Sequence, residues 1–290
     1  MSQRRVALSF EFFPPKTPDM EQRLWQAITA LEPLKPRFVS VTYGAGGTTR
    51  DRTHSTVARI RANTKLEPAA HLTCVGATRQ EIDEVARRYW LAGVRHVVAL
   101  RGDPPEGIGQ RYTPHPGGYA YAADLVAGLR RAADFQISVA AFPETHPEAS
   151  SADADLDNLK RKIDAGADTA ITQYFFDAAA FLRFRDRARA RGIKAPIVPG
   201  LLPITNFKQT VSFSRRCGTS VPDALHKRFV GLDDDPQARH AAAVEAAAAL
   251  ANELIASGVD MLHVYTLNRA ELTRDICAAI GIAPPASAAA

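Results

Sequence analysis

ALSFEFFPPKTP, residues 7–18, starts as an apolar, aromatic run of strand character and is cut off by Pro14 and Pro15. In a doubly wound sheet the first strand would run into a glycine-rich phosphate turn. Here it runs into prolines, and no GxGxxG occurs anywhere in the chain. The stretch also sets a chemical problem. Glu11 lies between Phe10 and Phe12, where a carboxylate is costly to ionise.

Seven further strand-like runs follow: RFVSVTYG (37–44), AAHLTCVG (69–76), HVVALRG (96–102), QISVAAFP (136–143), TAITQYFF (169–176), APIVPGLLP (195–203) and MLHVYTLN (261–268). Most of the early ones recur about every thirty residues, the beat of βα units that feed a parallel sheet. Helix-period segments lie between them. MEQRLWQAITAL (20–31) spaces Leu24, Ile28 and Leu31 along one face, and QEIDEVARRYWLAG (80–93) ends on a capping glycine. Eight strands in 290 residues fit an α/β fold of the (β/α)8 TIM-barrel type. The expected arrangement is one catalytic domain over 1–282 and a flexible tail, APPASAAA, over 283–290. Residues 204–260 are long enough for two or three extra helices between strands seven and eight.

Composition narrows the function. Hydrophobic residues make up 46% and charged residues 23%, which is globular, and no run approaches the ~20 apolar residues that cross a bilayer. MSQRRVALSF lacks the apolar core of a signal peptide. Cys74, Cys217 and Cys277 are widely spaced and form no CxxC, so a cytoplasmic location is expected, without disulfides or structural zinc. The net charge of +5 is modest, and its arginines fall in helix-like stretches such as RFRDRARARG (183–192). Basic patches interleaved with aromatics are missing, so neither nucleic acid nor membrane is an expected partner; an anionic small substrate is.

Barrels keep their chemistry at the C-terminal ends of the strands. Polar residues gather there: Glu11, Thr42, Tyr43, His71, Thr73, Arg101, Asp103, Glu144, His146, Gln173, Tyr265, Asn268 and Arg269. Desolvation by aromatic neighbours would raise the pKa of Glu11 and let it serve as a general acid. The competing reading pairs it, ionised, with a cation across the barrel. Asp103 follows Arg101-Gly102 as a second carboxylate near the same mouth, although an Asx turn would also explain it. After strand five, Asp155, Asn158 and Lys162 form a stripe at i, i+3 and i+7 with Arg161 beside it. That stripe is either a solvated face or a site for a cofactor's polyhydroxyl chain and phosphates. No HxH, HExxH or GxSxG is present, so no metal and no nucleophile elbow are expected.

Eight motifs, from SFEFFPPKT and FVSVTYGAGGTTRDRTH to PGLLPITNFKQ and HVYTLNRAE, resemble the bacterial, catalytic-domain-only methylenetetrahydrofolate reductases from about residue 4 to 282. The others are AHLTCVGAT, HVVALRGDPP, SVAAFPETHPEA and DLDNLKRKIDAGADTAITQYFFD. The resemblance implies a barrel that holds FAD, is reduced by NADH or NADPH, and then reduces 5,10-methylenetetrahydrofolate to 5-methyltetrahydrofolate for methionine synthesis. It makes Glu11 the general acid that opens the folate's five-membered ring, and Asp103 a contact to the pterin close to the flavin. Thr42, Tyr43, Ala45, His71, Arg101, Gly102, Ala122, Phe142, His146, Ala149, Asp155, Asn158, Arg161 and Lys162 fall on flavin positions. Gln173, Gln209, Phe213, Leu267 and Arg269 fall on substrate positions, with Gln173 also meeting the nicotinamide nucleotide and Phe213 and Leu267 packing against either the substrate or that nucleotide.

Two departures stand out: Phe142 occupies a position where a tyrosine is expected, and the loop over 104–121 is longer than usual and placed to gate the flavin's outer edge. A flavin-free pterin- or folate-binding (β/α)8 methyltransferase is the alternative, and only the reductase needs the Asp155–Lys162 stripe. Donor preference, polyglutamate preference and oligomeric state stay open, the Ala-rich helix over 238–257 being a candidate homo-oligomer interface.

Overall fold

The beat of βα units closes on itself. In the computed structural model, which describes residues 6–43, 50–104 and 112–284, eight parallel strands pair in chain order and β8 returns to β1. They are β1 (Ala7–Phe12), β2 (Phe38–Val41), β3 (Pro68–Thr73), β4 (His96–Leu100), β5 (Gln136–Ala141), β6 (Thr169–Tyr174), β7 (Ile197–Leu201) and β8 (Met261–Tyr265). Each lies within one residue of, or inside, an expected run, and most of those runs overshoot at their C-terminal ends. The cause is packing beyond the ladder. Phe175, just after β6, is fully buried although it has left the sheet. Pro199-Gly200 does not break β7, and the strand runs through both to Leu201.

Side chains alternate across a strand, and this sorts the first one. Leu8, Phe10 and Phe12 join the core between sheet and helices, whereas Ser9 and Glu11 fall at the alternate positions. β8 behaves the same way, with Leu262 and Val264 in that outer core, while Ser9 pairs with His263 and Glu11 with Tyr265 across the seam. A separate apolar layer of Phe38, Ala69, Val98, Ile171, Val198 and Met261 gathers one residue from each of six strands.

The helices stop and start where local chemistry requires. In α1 (Pro18–Leu31) the Thr17 hydroxyl accepts from Met20 N, and Pro18 takes the first turn, where no N–H is needed. For α3 (Arg79–Leu91), Thr78 and Glu81 form a reciprocal capping box, and Gly93 follows at φ 81°. The remaining helices are α2 (Arg50–Asn63), α4 (Ala122–Ala132), α5 (Ala152–Asp164), α6 (Ala178–Ala190), α7 (Phe207–Cys217), α8 (Asp223–Phe229), α9 (Pro236–Ala256) and α10 (Ala270–Ala279).

Helices α7, α8 and α9 fill the segment between β7 and β8, with a small core that includes Ile204, Phe229, Leu272 and Ile276. Ala242, Ala243, Ala247, Ala248 and Ala251 of α9 are buried within the chain, so much of its alanine content serves internal packing. No helix among the described residues is long and apolar enough to cross a membrane. The expectations for Ala45, for 105–111 within the longer loop and for 285–290 of the tail lie outside the described residues.

Candidate active site

Glu11 is the floor of a cleft of about 1330 Å³ at the C-terminal mouth of the barrel. Its carboxylate Oε2 lies 3.3 Å from His71 Nε2 and 3.5 Å from His263 Nε2, and the Glu11 side chain is 12% exposed. His71 Nε2 makes no well-aligned hydrogen bond, although it lies within ion-pair distance of Glu11. His263 is held from behind, its Nδ1 lying 2.8 Å from Ser9 Oγ.

These neighbours overturn the raised pKa expected of Glu11. Desolvation is the largest single effect and does raise it. The charge of His71, the hydrogen bond from His263 and their remaining contributions outweigh it, holding the carboxyl at about 2, below its ordinary 4.5. The expectation failed because Phe10 and Phe12 point to the opposite face of the strand. Sequence neighbours do not surround Glu11; β3 and β8 do.

The walls bring together expected positions of both kinds. Gln173, Phe213, Leu267 and Arg269, expected at the substrate, line the same cleft as Glu11, together with Thr42, Tyr43, His71 and Phe142, expected at the flavin. The Gln173 side-chain oxygen accepts from Tyr174 N at 3.0 Å, and Phe213 stacks on Tyr174 at 6.2 Å. Tyr265 spans the barrel, donating to Thr172 O at 2.6 Å over Gly200, where a Cβ would sit 2.6 Å from the tyrosine ring. Gln209 is the outlier. It sits exposed on the first turn of α7, outside the cleft lining, four residues before Phe213.

A second cleft of about 1120 Å³ abuts the first and shares Tyr43, Leu100, Ala140 and Phe142 with it. Here Arg101, Gly102, Asp103, Ala122, His146, Ala149, Asp155, Asn158, Arg161 and Lys162 come together. Apolar Leu156 and Leu159 seat α5 against the core, which leaves the polar stripe facing the cleft. Asp155 accepts from His146 N at 2.8 Å, Lys162 Nζ donates to Ala140 O, and Ala149 N closes the intervening turn onto His146 O.

Lys162 is only 4% exposed. Burial pushes it down to about 8 against the opposing charge of Asp155, with Arg161 lowering it further. Burial and the nearby Arg101 charge also lower His146. Gly102 has no room for a side chain: at φ 88° its Cβ would lie 2.4 Å from Val75 Cγ1.

Several participants were missed by sequence reasoning. Glu148 grips Arg101 through two bonds of 2.7 and 2.8 Å, and the Tyr112 ring covers the same guanidinium at 4.5 Å. His263 and Ser9 were also missed, although the period-2 pattern on β8 and β1 puts them on the same face as Tyr265 and Glu11. Thr73 and Tyr43 line the second cleft, and their hydroxyls are buried without a hydrogen-bond partner. Orphaned hydroxyls beside a buried lysine suit a ligand rich in hydroxyls and phosphate oxygens.

Comparisons with known proteins identify the family. The family model for methylenetetrahydrofolate reductase matches residues 1–281. The 5,10-methylenetetrahydrofolate reductase of Pectobacterium carotovorum subsp. carotovorum is 52% identical over 97% of this chain and 92% of its own length. That of Escherichia coli (strain K12) is 51% identical over 97% and 93%. Among solved structures, a Clostridium thermocellum protein that binds two copies of 5-methyl-5,6,7,8-tetrahydrofolic acid superposes with a TM-score of 0.65 over 97% of this chain and 96% of its own, at 15% identity, which speaks for the fold alone. Matched along almost its whole length, the chain belongs to the methylenetetrahydrofolate reductase family, and is thereby an oxidoreductase.

Proposed function

We propose that the protein reduces 5,10-methylenetetrahydrofolate to 5-methyltetrahydrofolate with electrons from NADH or NADPH carried by FAD, in the cytoplasm, and so supplies methyl groups for methionine synthesis. The observation that carries this reading is the adjacency of the two clefts. A carboxylate–imidazole cluster sits at the floor of one, and a buried lysine with orphaned hydroxyls lines the other. FAD, when bound, supplies two-electron hydride transfer, first from the nicotinamide and then to the folate's one-carbon unit, in ping-pong order.

The chain's residues do the rest. Lys162, Arg161 and Asn158 hold phosphate and hydroxyl oxygens, and Thr73 and Tyr43 offer the hydroxyls that lack partners. Asp103 is the carboxylate for the pterin's N–H edge, Gln173 offers an amide to the ring system, and Arg269 at the outer mouth suits the glutamate carboxylates. Phe213 and Leu267 pack against the bound ring and exclude water.

The imidazolidine ring opens when its leaving nitrogen, N10, receives a proton, which leaves an iminium at N5 for reduction. Glu11 delivers that proton. With its own carboxyl held at about 2 it is ionised at rest, so it relays to N10 a proton drawn from the His71 and His263 imidazoles beside it. A flavin-free methyltransferase would have no use for the buried lysine groove.

The test is a visible spectrum of the purified protein, followed by anaerobic additions. Flavin bands that NADH or NADPH bleaches and methylenetetrahydrofolate restores support the reading and identify the donor. A colourless protein that takes up no FAD sinks it.

A further inference from the structure

The barrel closes between its first and last strands, and regular pairing there stops at Glu11 and Tyr265. Beyond that point the chain makes an improbable turn. Leu267 and Asn268, neither a glycine, take consecutive left-handed conformations at φ 52° and 55°. Such backbone persists only where its surroundings over-determine it.

Here they do. Thr266 donates to Glu11 O twice, from its N–H at 3.2 Å and its hydroxyl at 2.6 Å, while that hydroxyl accepts from Asn268 N at 3.1 Å. The Asn268 side chain then reaches across the seam. Its Oδ1 accepts from Phe13 N at 2.9 Å and its Nδ2 donates to Phe13 O at 3.0 Å. A side-chain amide so placed mimics a neighbouring strand, with one donor and one acceptor in one plane. Aspartate has no donor to offer, and glycine or alanine has neither group.

We propose that Asn268 is a positioning residue for folate reduction: by clamping both polar groups of Phe13, it holds the acid-bearing end of β1 in register with the turn that presents Leu267 and Arg269 to the same cleft. Glu11, Phe13, Leu267 and Arg269 all line that cleft, and the clamp ties their two chain segments together across 255 residues of sequence. This rests on the reading of Glu11 as the acid. The effect therefore falls on the step that uses Glu11 rather than on nicotinamide oxidation.

The test uses two variants of the full chain. Asn268→Gly keeps the left-handed backbone accessible and deletes the clamp; Asn268→Asp keeps the shape and turns a carboxylate oxygen towards Phe13 O. In the FAD-loaded enzyme, kcat/KM for methylenetetrahydrofolate is expected to fall at least about tenfold, the loss of two ordinary hydrogen bonds, with a raised folate KM and a larger fall for Asp. The NAD(P)H half-reaction is expected to change several-fold less.

Hydrogen exchange at the Phe13 amide, read in the protein without substrate, is expected to accelerate about tenfold in Asn268→Gly. Unchanged Phe13 exchange overturns the proposal whatever the enzyme's substrate proves to be. Folate kinetics within twofold of wild type, or both half-reactions falling together in step with the folded fraction, overturn it too. Failure of the wild-type protein to turn over methylenetetrahydrofolate counts against the functional reading instead, and the exchange experiment still decides the clamp.

Discussion

Two buried charges lie side by side at the mouth of this barrel, and the chain treats them in opposite ways. Glu11, on the floor of the central cleft, has two imidazoles within 3.5 Å and is held at about 2. Lys162, in the adjoining groove, has Asp155 as its counter-charge and is pushed down to about 8 by burial. The Glu11 carboxylate is held ionised by the chain's own residues. The groove carries charges of both signs, but the Tyr43 and Thr73 side chains that line it have buried hydroxyls without a hydrogen-bond partner. Pre-paired groups do chemistry, whereas under-paired groups wait for a ligand.

The sharpest way to break this contrast is Glu11→Gln. Folate reduction is expected to fall about 10²–10⁴-fold, the usual cost of losing a general acid, while NAD(P)H still bleaches the flavin at close to the wild-type rate. Stopped-flow measurement of each half-reaction checks it, and equal losses would remove Glu11 from the acid role. Next comes Lys162→Met. Losing a charge-assisted contact should weaken FAD binding about 10–100-fold, read as the Kd from flavin fluorescence, with the fold unchanged by circular dichroism.

A pH series sharpens the same point. Only charged Lys162 attracts a phosphate, so FAD affinity is expected to be full below about pH 8 and to decline as the pH rises through it. Lys162→Met should flatten that decline. In the ligand-free protein the lysine has the opposite consequence. Between about pH 8 and its ordinary 10.5 the unfolded chain carries the extra proton, so folding gains stability as pH rises. The smallest expected effect is from Phe142→Tyr. Phe142 lines both clefts and meets His146 edge-on at 4.6 Å, so a hydroxyl there should tighten FAD two- to tenfold, about one hydrogen bond's worth. An unchanged Kd would mean that the added hydroxyl finds no partner.

Much of this was legible in the chain. The prolines after Phe13, the missing phosphate turn and the thirty-residue beat led to the barrel, and the i, i+3, i+7 stripe on α5 led to the groove. Legibility ended where the signal ceased to be local. The strand runs overshot because Phe175 stays buried after the ladder ends. Arg101 was anticipated but its grip by Glu148 was not, since 47 residues separate them. Gln209 lies exposed on the first turn of α7, outside the cleft lining, a facing set by how the helix packs and not by spacing in the chain.

By itself, then, the sequence determined the periodic features: eight strands, their helices and caps, and the alternation that puts Ser9 and Glu11 on one face and Phe10 and Phe12 on the other. Those follow from backbone geometry that repeats every two or 3.6 residues. Only the tertiary structure decided the sign of Glu11's pKa shift and the identity of its partners. His263 stands 252 residues away in the chain and 3.5 Å away in space. Electrostatic interactions depend on distance in space, and barrel closure alone brings β1, β3 and β8 to one carboxylate.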